Sequence, residues 1–192
     1  MESRALVTAD LERLPGLRTR RWAADGAAFG LAASSGLAAL AGGLVGGHEG
    51  WGLGLLTAGA LIGPATAVGA VFGRRWRAWL RRDAGRVTVK RWLGRLAADG
   101  ALAGAASGAL APVVLSVGLV PRPEAILFEA GLGALVAGPA GAVLLSVLGL
   151  PYVLGLVRGR RPWGILALAA VTAPPVLFGT TMVAAWVARA WG

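Results

Sequence analysis

The chain contains no cysteine, one histidine, one tyrosine and one lysine among its 192 residues. Without thiols it can build neither a disulfide framework nor a thiolate metal site. His48 stands beside Glu49 with no further ligand group at metal spacing, so no metal centre is expected. Walker loops, dinucleotide fingerprints and paired-carboxylate motifs are also missing, and no cofactor is implied. The run GAASGAL around Ser107 has Ala105 where a GxSG serine loop needs glycine, and no second helix carries a histidine base. That excludes an intramembrane serine hydrolase. The expectation is a protein without catalytic residues, not an enzyme.

Charge is scarce too. Only 15% of residues are charged and 56% are hydrophobic, a balance that fits a membrane protein rather than a soluble surface. Five runs lack any charge: Gly26–Gly47, Gly50–Gly73, Gly100–Pro121, Ala130–Val157 and Pro162–Ala188. Each reaches the length of about 20 apolar residues that crosses a bilayer core of roughly 30 Å. The basic residues alternate between the ends of these runs. Five fall in residues 1–26, nine in 74–95 and three in 158–161, against one at Arg122 and one at Arg189. Because Lys and Arg stay cytoplasmic during insertion, the N-terminus is expected inside and the C-terminus outside. The eight tryptophans (22, 51, 76, 79, 92, 163, 186 and 191) lie at or near run ends, as interfacial belts would place them.

The expected fold is therefore an all-α integral membrane protein of the cell inner (cytoplasmic) membrane with five transmembrane helices. Residues 1–26 form a cytoplasmic basic segment and 27–73 a first hairpin. A cytoplasmic basic amphipathic loop follows over 74–95, then a second hairpin over 96–157, and a fifth helix with the C-terminus over 158–192. The loop carries Trp76, Trp79 and Leu80 at helical spacing among Arg74, Arg75, Arg77 and Arg81. Such a stretch would press an apolar edge into the headgroups and meet anionic lipid through its arginines. This accounts for the net charge of +10 without nucleic acid.

The hairpins also look duplicated. RWAADGAAFG at Arg21 returns as RLAADGALAG at Arg95, matching Asp25, Gly26 and Gly30 with Asp99, Gly100 and Gly104 at an offset of 74. Beyond the first turn the offset becomes 75, pairing Glu49 with Glu124 and Gly63-Pro64 with Gly138-Pro139. Two-span units entering from one side give a parallel repeat.

Small residues recur every four positions in the first helix (Gly26, Gly30, Ser34, Ala38, Gly42, Gly46) and in the third (Gly100, Gly104, Gly108). Such stripes allow close backbone approach, so these helices are expected inside the bundle, with helix four better suited to lipid. Prolines near mid-span at 64, 112, 139 and 174–175 free the carbonyls of Ala60, Gly108, Leu135, Ala170 and Val171. Ser107, Ser116, Thr172, Thr180 and Thr181 are the hydroxyls available to satisfy them.

The candidate substrate or ion pathway then comprises Asp25 and Asp99 at a shared cytoplasmic mouth, Ser107, Pro64, Pro139 and Thr172 in the middle, and a Glu129–Arg189 pair near the outside. The expected function is a transporter or channel-like protein for a small solute or ion, acting as a homo-oligomer. The alternative is an accessory or scaffold subunit of a larger membrane complex.

Overall fold

A computed structural model of the chain describes residues 21–82, 89–116, 122–159 and 162–191. Among the described residues the structure is all-α: α1 Trp22–Glu49, α2 Trp51–Arg82, α3 Val89–Ser116, α4 Pro123–Val157 and α5 Trp163–Trp191. Each is long and apolar enough to cross a membrane. Helix is the form such segments must take, because lipid offers no partner for an open backbone N–H or C=O. The bounds of all five enclose most of the charge-free runs.

Successive helices run antiparallel, giving the bundle a basic end, where α2 ends and α3 begins, and a far end at the α1–α2 turn. That turn is Gly50 alone, at φ 97°, a conformation open to glycine because it has no Cβ to meet the next carbonyl. Helix α1 packs along α2 and α5, α3 along α4 and α2, and α5 against α4 as well as α1.

The two hairpins are closed by the same means. In α1 the buried stripe is Trp22, Gly26, Phe29, Ser34, Ala38, Gly42 and Gly46, and its glycines touch backbone of α2. A Cβ at Gly26 would strike the carbonyl of Gly69, and one at Gly30 that of Ala65. In the second hairpin Gly100 meets Gly141, Gly104 meets Ala137 and Gly108 meets Gly133. Such contact matters because lipid supplies no hydrophobic drive between helices, leaving close van der Waals packing to hold them. The register differs between the hairpins, however. The residues opposite Gly100 and Gly104 lie 72 positions after those opposite Gly26 and Gly30, where the sequence repeat would put Leu144 and Ala140. The second pair has slipped by nearly one turn, and the paired motifs turn with it: Gly63 is exposed and Pro64 buried, while Gly138 is buried and Pro139 exposed.

The core is concentrated at the basic end. Trp22, Phe29, Trp76, Leu80, Trp92, Leu96, Leu145, Leu148, Tyr152, Val153 and Leu156 form one buried cluster. This overturns three expectations. First, 74–95 is not a surface loop carrying its own short helix. Helix α2 continues unbroken to Arg82 and α3 starts at Val89, with 83–88 outside the described residues. Second, Trp76 and Leu80 do not lie on lipid but are 1% and 2% exposed inside the protein. Past the hydrocarbon layer, water restores the hydrophobic drive, and the helix extensions bury their aromatic faces against one another as a soluble core would. Trp51, Trp163 and Trp186 do remain exposed at helix ends. Third, α4 is lipid-like only in its first half, where Leu127, Phe128, Leu132 and Leu135 are exposed. Its second half is the most buried part of the chain. There the helix widens into a π turn at Leu145–Gly149, just before Pro151, which has no N–H to offer a regular turn.

Candidate functional site

Among the described residues, two cavities lie between packed elements. The larger cluster of lining residues surrounds a cavity of about 180 Å³ between the hairpins, walled by α1 (Phe29, Gly30, Ser34), α3 (Gly104, Ser107) and α4 (Ala140). It also touches α2 at Leu61 and Phe72 and α5 at Ala173 and Leu177. Helices α1 and α3 thus face one another across open space instead of packing together. Its lining has no charged residue. Its polar side chains are Ser34 and Ser107, and the Ser34 hydroxyl already donates to the carbonyls of Gly30, at 2.8 Å, and Leu31, at 3.2 Å. Towards the basic end the cavity meets the aromatic cluster, where Phe29 packs edge-on to Trp76 and tilted against Tyr152.

The midplane prolines do not converge on this space as a set. Pro64 is buried and Pro139 faces outward, and four of the candidate hydroxyls serve their own helices. Thr172 donates to Leu168, Ser116 to Val113, and both Thr180 and Thr181 to Leu177. Freed carbonyls are covered differently. The Gly108 carbonyl lies against the Cα of Gly133, and the Ala170 carbonyl against that of Gly36. A Cα–H pointed at a carbonyl is a weak but favourable contact, and glycine alone permits the approach. Gly36 lies off the stripe and was not legible as a contact residue, since its partner is in a helix 134 positions away.

The second cavity, of about 300 Å³, lies at the basic end between α2 and α3 and is lined by Arg75, Ala78, Trp79, Arg82, Arg95 and Asp99. Asp99 is 2% exposed, and its Oδ1 accepts the Arg75 Nε–H at 3.0 Å. The indole N–H groups of Trp76 and Trp79 flank the carboxylate. Neither has a partner in hydrogen-bond geometry, nor does Asp99 Oδ2. Arg95 stands over the Trp79 ring at 5.6 Å, and Trp79 is held edge-on by Trp92 at 4.9 Å. Asp99 and Gly100, neighbours on α3, line different cavities.

Asp25 is placed unlike Asp99. It lies half-buried in the first turn of α1, and its backbone carbonyl accepts the Tyr152 hydroxyl at 2.6 Å, tying α4 to the first hairpin. Tyr152, 1% exposed and the only tyrosine, was missed because nothing local marks a lone phenol as a tie between hairpins. Asp99 lies ten residues into α3, far from any helix start. Glu129 and Arg189 are both exposed, and among the described residues no ion pair joins them. The expected outer pair is therefore not formed among the described residues. Of the basic residues assigned to the lipid interface, Arg74, Arg75 and Arg81 are exposed and Arg77 is half-buried.

Compared with known proteins, the chain matches no family model, no curated protein and no solved structure.

Proposed function

We propose that the chain is a non-enzymatic, multi-pass protein of the inner membrane, with its N-terminus cytoplasmic, that passes a small amphipathic solute through the cavity between its hairpins. The observation that carries this reading is the charge-free cavity bounded by all five helices. Its size is instructive, because a dry engineered cavity of ~150 Å³ accepts benzene. A ring or short alkyl body fits a space of about 180 Å³. An ion would meet no compensating charge and would be left poorly solvated. Ion conduction, part of the expectation from sequence, is accordingly the weaker form of the transport reading.

Movement would come from one hairpin rocking against the other. Each hairpin is internally tight, whereas the connections between them are the α2–α3 packing with its Arg75–Asp99 pair, the basic-end aromatic cluster, the Tyr152–Asp25 bond and the packing of α5. A duplicated ancestry of the hairpins fits this division, with the slipped register as a later divergence.

Reconstituted chain should speed the entry of a single-ring amphipathic solute such as resorcinol into liposomes above the bilayer background, and Ala103→Phe, on the α3 wall of the cavity, should reduce that acceleration several-fold while leaving the protein folded. No acceleration by the wild-type chain would favour the alternative, an accessory subunit. One observation supports that second reading: Gly43, Gly47, Gly59 and Gly63 face open space at four-residue spacing, as surfaces for further helices, including those of a second copy, would.

A further inference from the structure

We propose that the cavity between α2 and α3 at the basic end is a binding site for a phosphate ester, gripped by Arg75, Arg82 and Arg95. Three guanidinium groups line it against one carboxylate, so the space is electropositive. That carboxylate is already engaged. Asp99 holds Arg75 through Nε, which leaves the two terminal nitrogens of the same guanidinium to present a fork to another acceptor. Planar guanidinium forks match the paired oxygens of a phosphate, and do so best when their orientation is set beforehand.

Both flanking arginines have that preorganisation. Arg75 is fixed by a carboxylate only 3% exposed, although its own side chain is 60% exposed and reachable. Arg95 is laid over Trp79, whose ring is wedged by Trp92. Two rigid helices, not loops, carry these groups, so little conformational freedom is lost when an anion arrives. A volume of about 300 Å³ admits a phosphate together with a small polyol. Basic pockets between membrane helices are suited to anionic headgroups, and a soluble phosphate ester offers the same chemistry. The site is independent of solute passage through the central cavity.

The test is isothermal titration calorimetry on the full chain in a neutral maltoside detergent. Dihexanoyl phosphatidylglycerol, glycerol phosphate and inorganic phosphate are titrated in turn. Saturable one-to-one binding is expected, weakened about tenfold by Arg82→Gln or Arg95→Gln, since a charge-assisted hydrogen bond is lost in each. Arg74→Gln and Arg81→Gln remove the same charge outside the cavity and should change the affinity less than about twofold. Binding restricted to the lipid identifies a headgroup as occupant. Equal binding of glycerol phosphate identifies a soluble ester, and binding of inorganic phosphate alone, without either ester, would overturn the proposal. Equal losses from cavity and outside variants, or no saturable binding of any of the three, would overturn the proposal. Arg82 is exposed, so Arg82→Gln decides the matter should Arg95→Gln fail to fold.

Discussion

Replacing single glycines by alanine should split this protein's glycines into two groups with opposite signs. At Gly30 a methyl carbon would fall on the carbonyl oxygen of Ala65, and at Gly104 on that of Ala137. Both obstacles are backbone, so neither can be relieved by a side-chain rotation. A carbon facing a carbonyl oxygen settles at roughly 3.3–3.6 Å, and reaching it requires the helix axes to part by about an ångström. A gap of even 0.5–1 Å forfeits about a quarter to a half of each neighbouring van der Waals contact. The expected cost is ~1–3 kcal/mol for either variant, the range for overpacking a dense interior. At Gly43 and Gly63 an added Cβ meets nothing within 4 Å. There alanine should stabilise by up to about 1 kcal/mol through its helix propensity. The two groups should thus differ by ~1–4 kcal/mol, about fivefold to several hundred-fold in the unfolding equilibrium. Reversible unfolding of the four variants in mixed detergent micelles measures this directly. If Gly30→Ala and Gly104→Ala shift stability in the same direction as Gly43→Ala and Gly63→Ala, the close-contact account of the hairpins is wrong.

Single cysteines can be introduced freely because the chain has none. His48→Cys and Arg122→Cys should label with an impermeant thiol reagent in intact cells and Arg81→Cys only after lysis; external labelling at 81 would refute the topology. Arg75→Gln leaves the Asp99 carboxylate buried without its ion-pair partner. The loss should be on the order of 1–3 kcal/mol, since Arg95 remains near, and Arg75→Gln with Asp99→Asn should recover part of it in the same unfolding assay. Trp76→Ala should cost about 3–5 kcal/mol, as for a large core aromatic, whereas Trp51→Ala should change thermal stability little. Charge swaps at Glu129 and Arg189 should combine additively, and a coupling energy above about 0.5 kcal/mol would show a pair that the fold does not contain.

The five spans were legible because a charge-free run of bilayer length has few other uses, and the stripe in α1 because small residues at every fourth position share a helix face. What the stripe could not disclose was its partner. Gly26 and Gly30 announce a close approach, but the single-residue turn at Gly50 brings α2, not α3, into range. Tryptophan was misread for a chemical reason. An indole suits a headgroup layer and an aqueous-side core equally well, and the choice for Trp22, Trp76 and Trp92 depends on how far α2 and α3 extend beyond the apolar runs. The Arg75–Asp99 pair was invisible because its members sit on different helices, 24 positions apart in the sequence. The π turn in α4 had only the Gly149–Pro151 neighbourhood to betray it.

The placement of the aromatic cluster has a consequence for biogenesis. Apart from two alanines of α5, its members run from Trp22 to Val157, so its large side chains cannot come together until α4 has left the ribosome. The first hairpin needs no such wait, since its glycine contacts lie within about 50 residues. During synthesis Trp22, Trp76 and Leu80 therefore stand uncovered at the basic end of the first hairpin until the later helices arrive, an interval in which exposed apolar surface invites misassembly. Completion of α4 ends that interval, because Leu145, Leu148, Tyr152 and Leu156 supply the missing face together. The last turns of α4 act as the closing step of assembly, and a chain interrupted before them would present two sound hairpin helices beneath an open, adhesive aromatic surface.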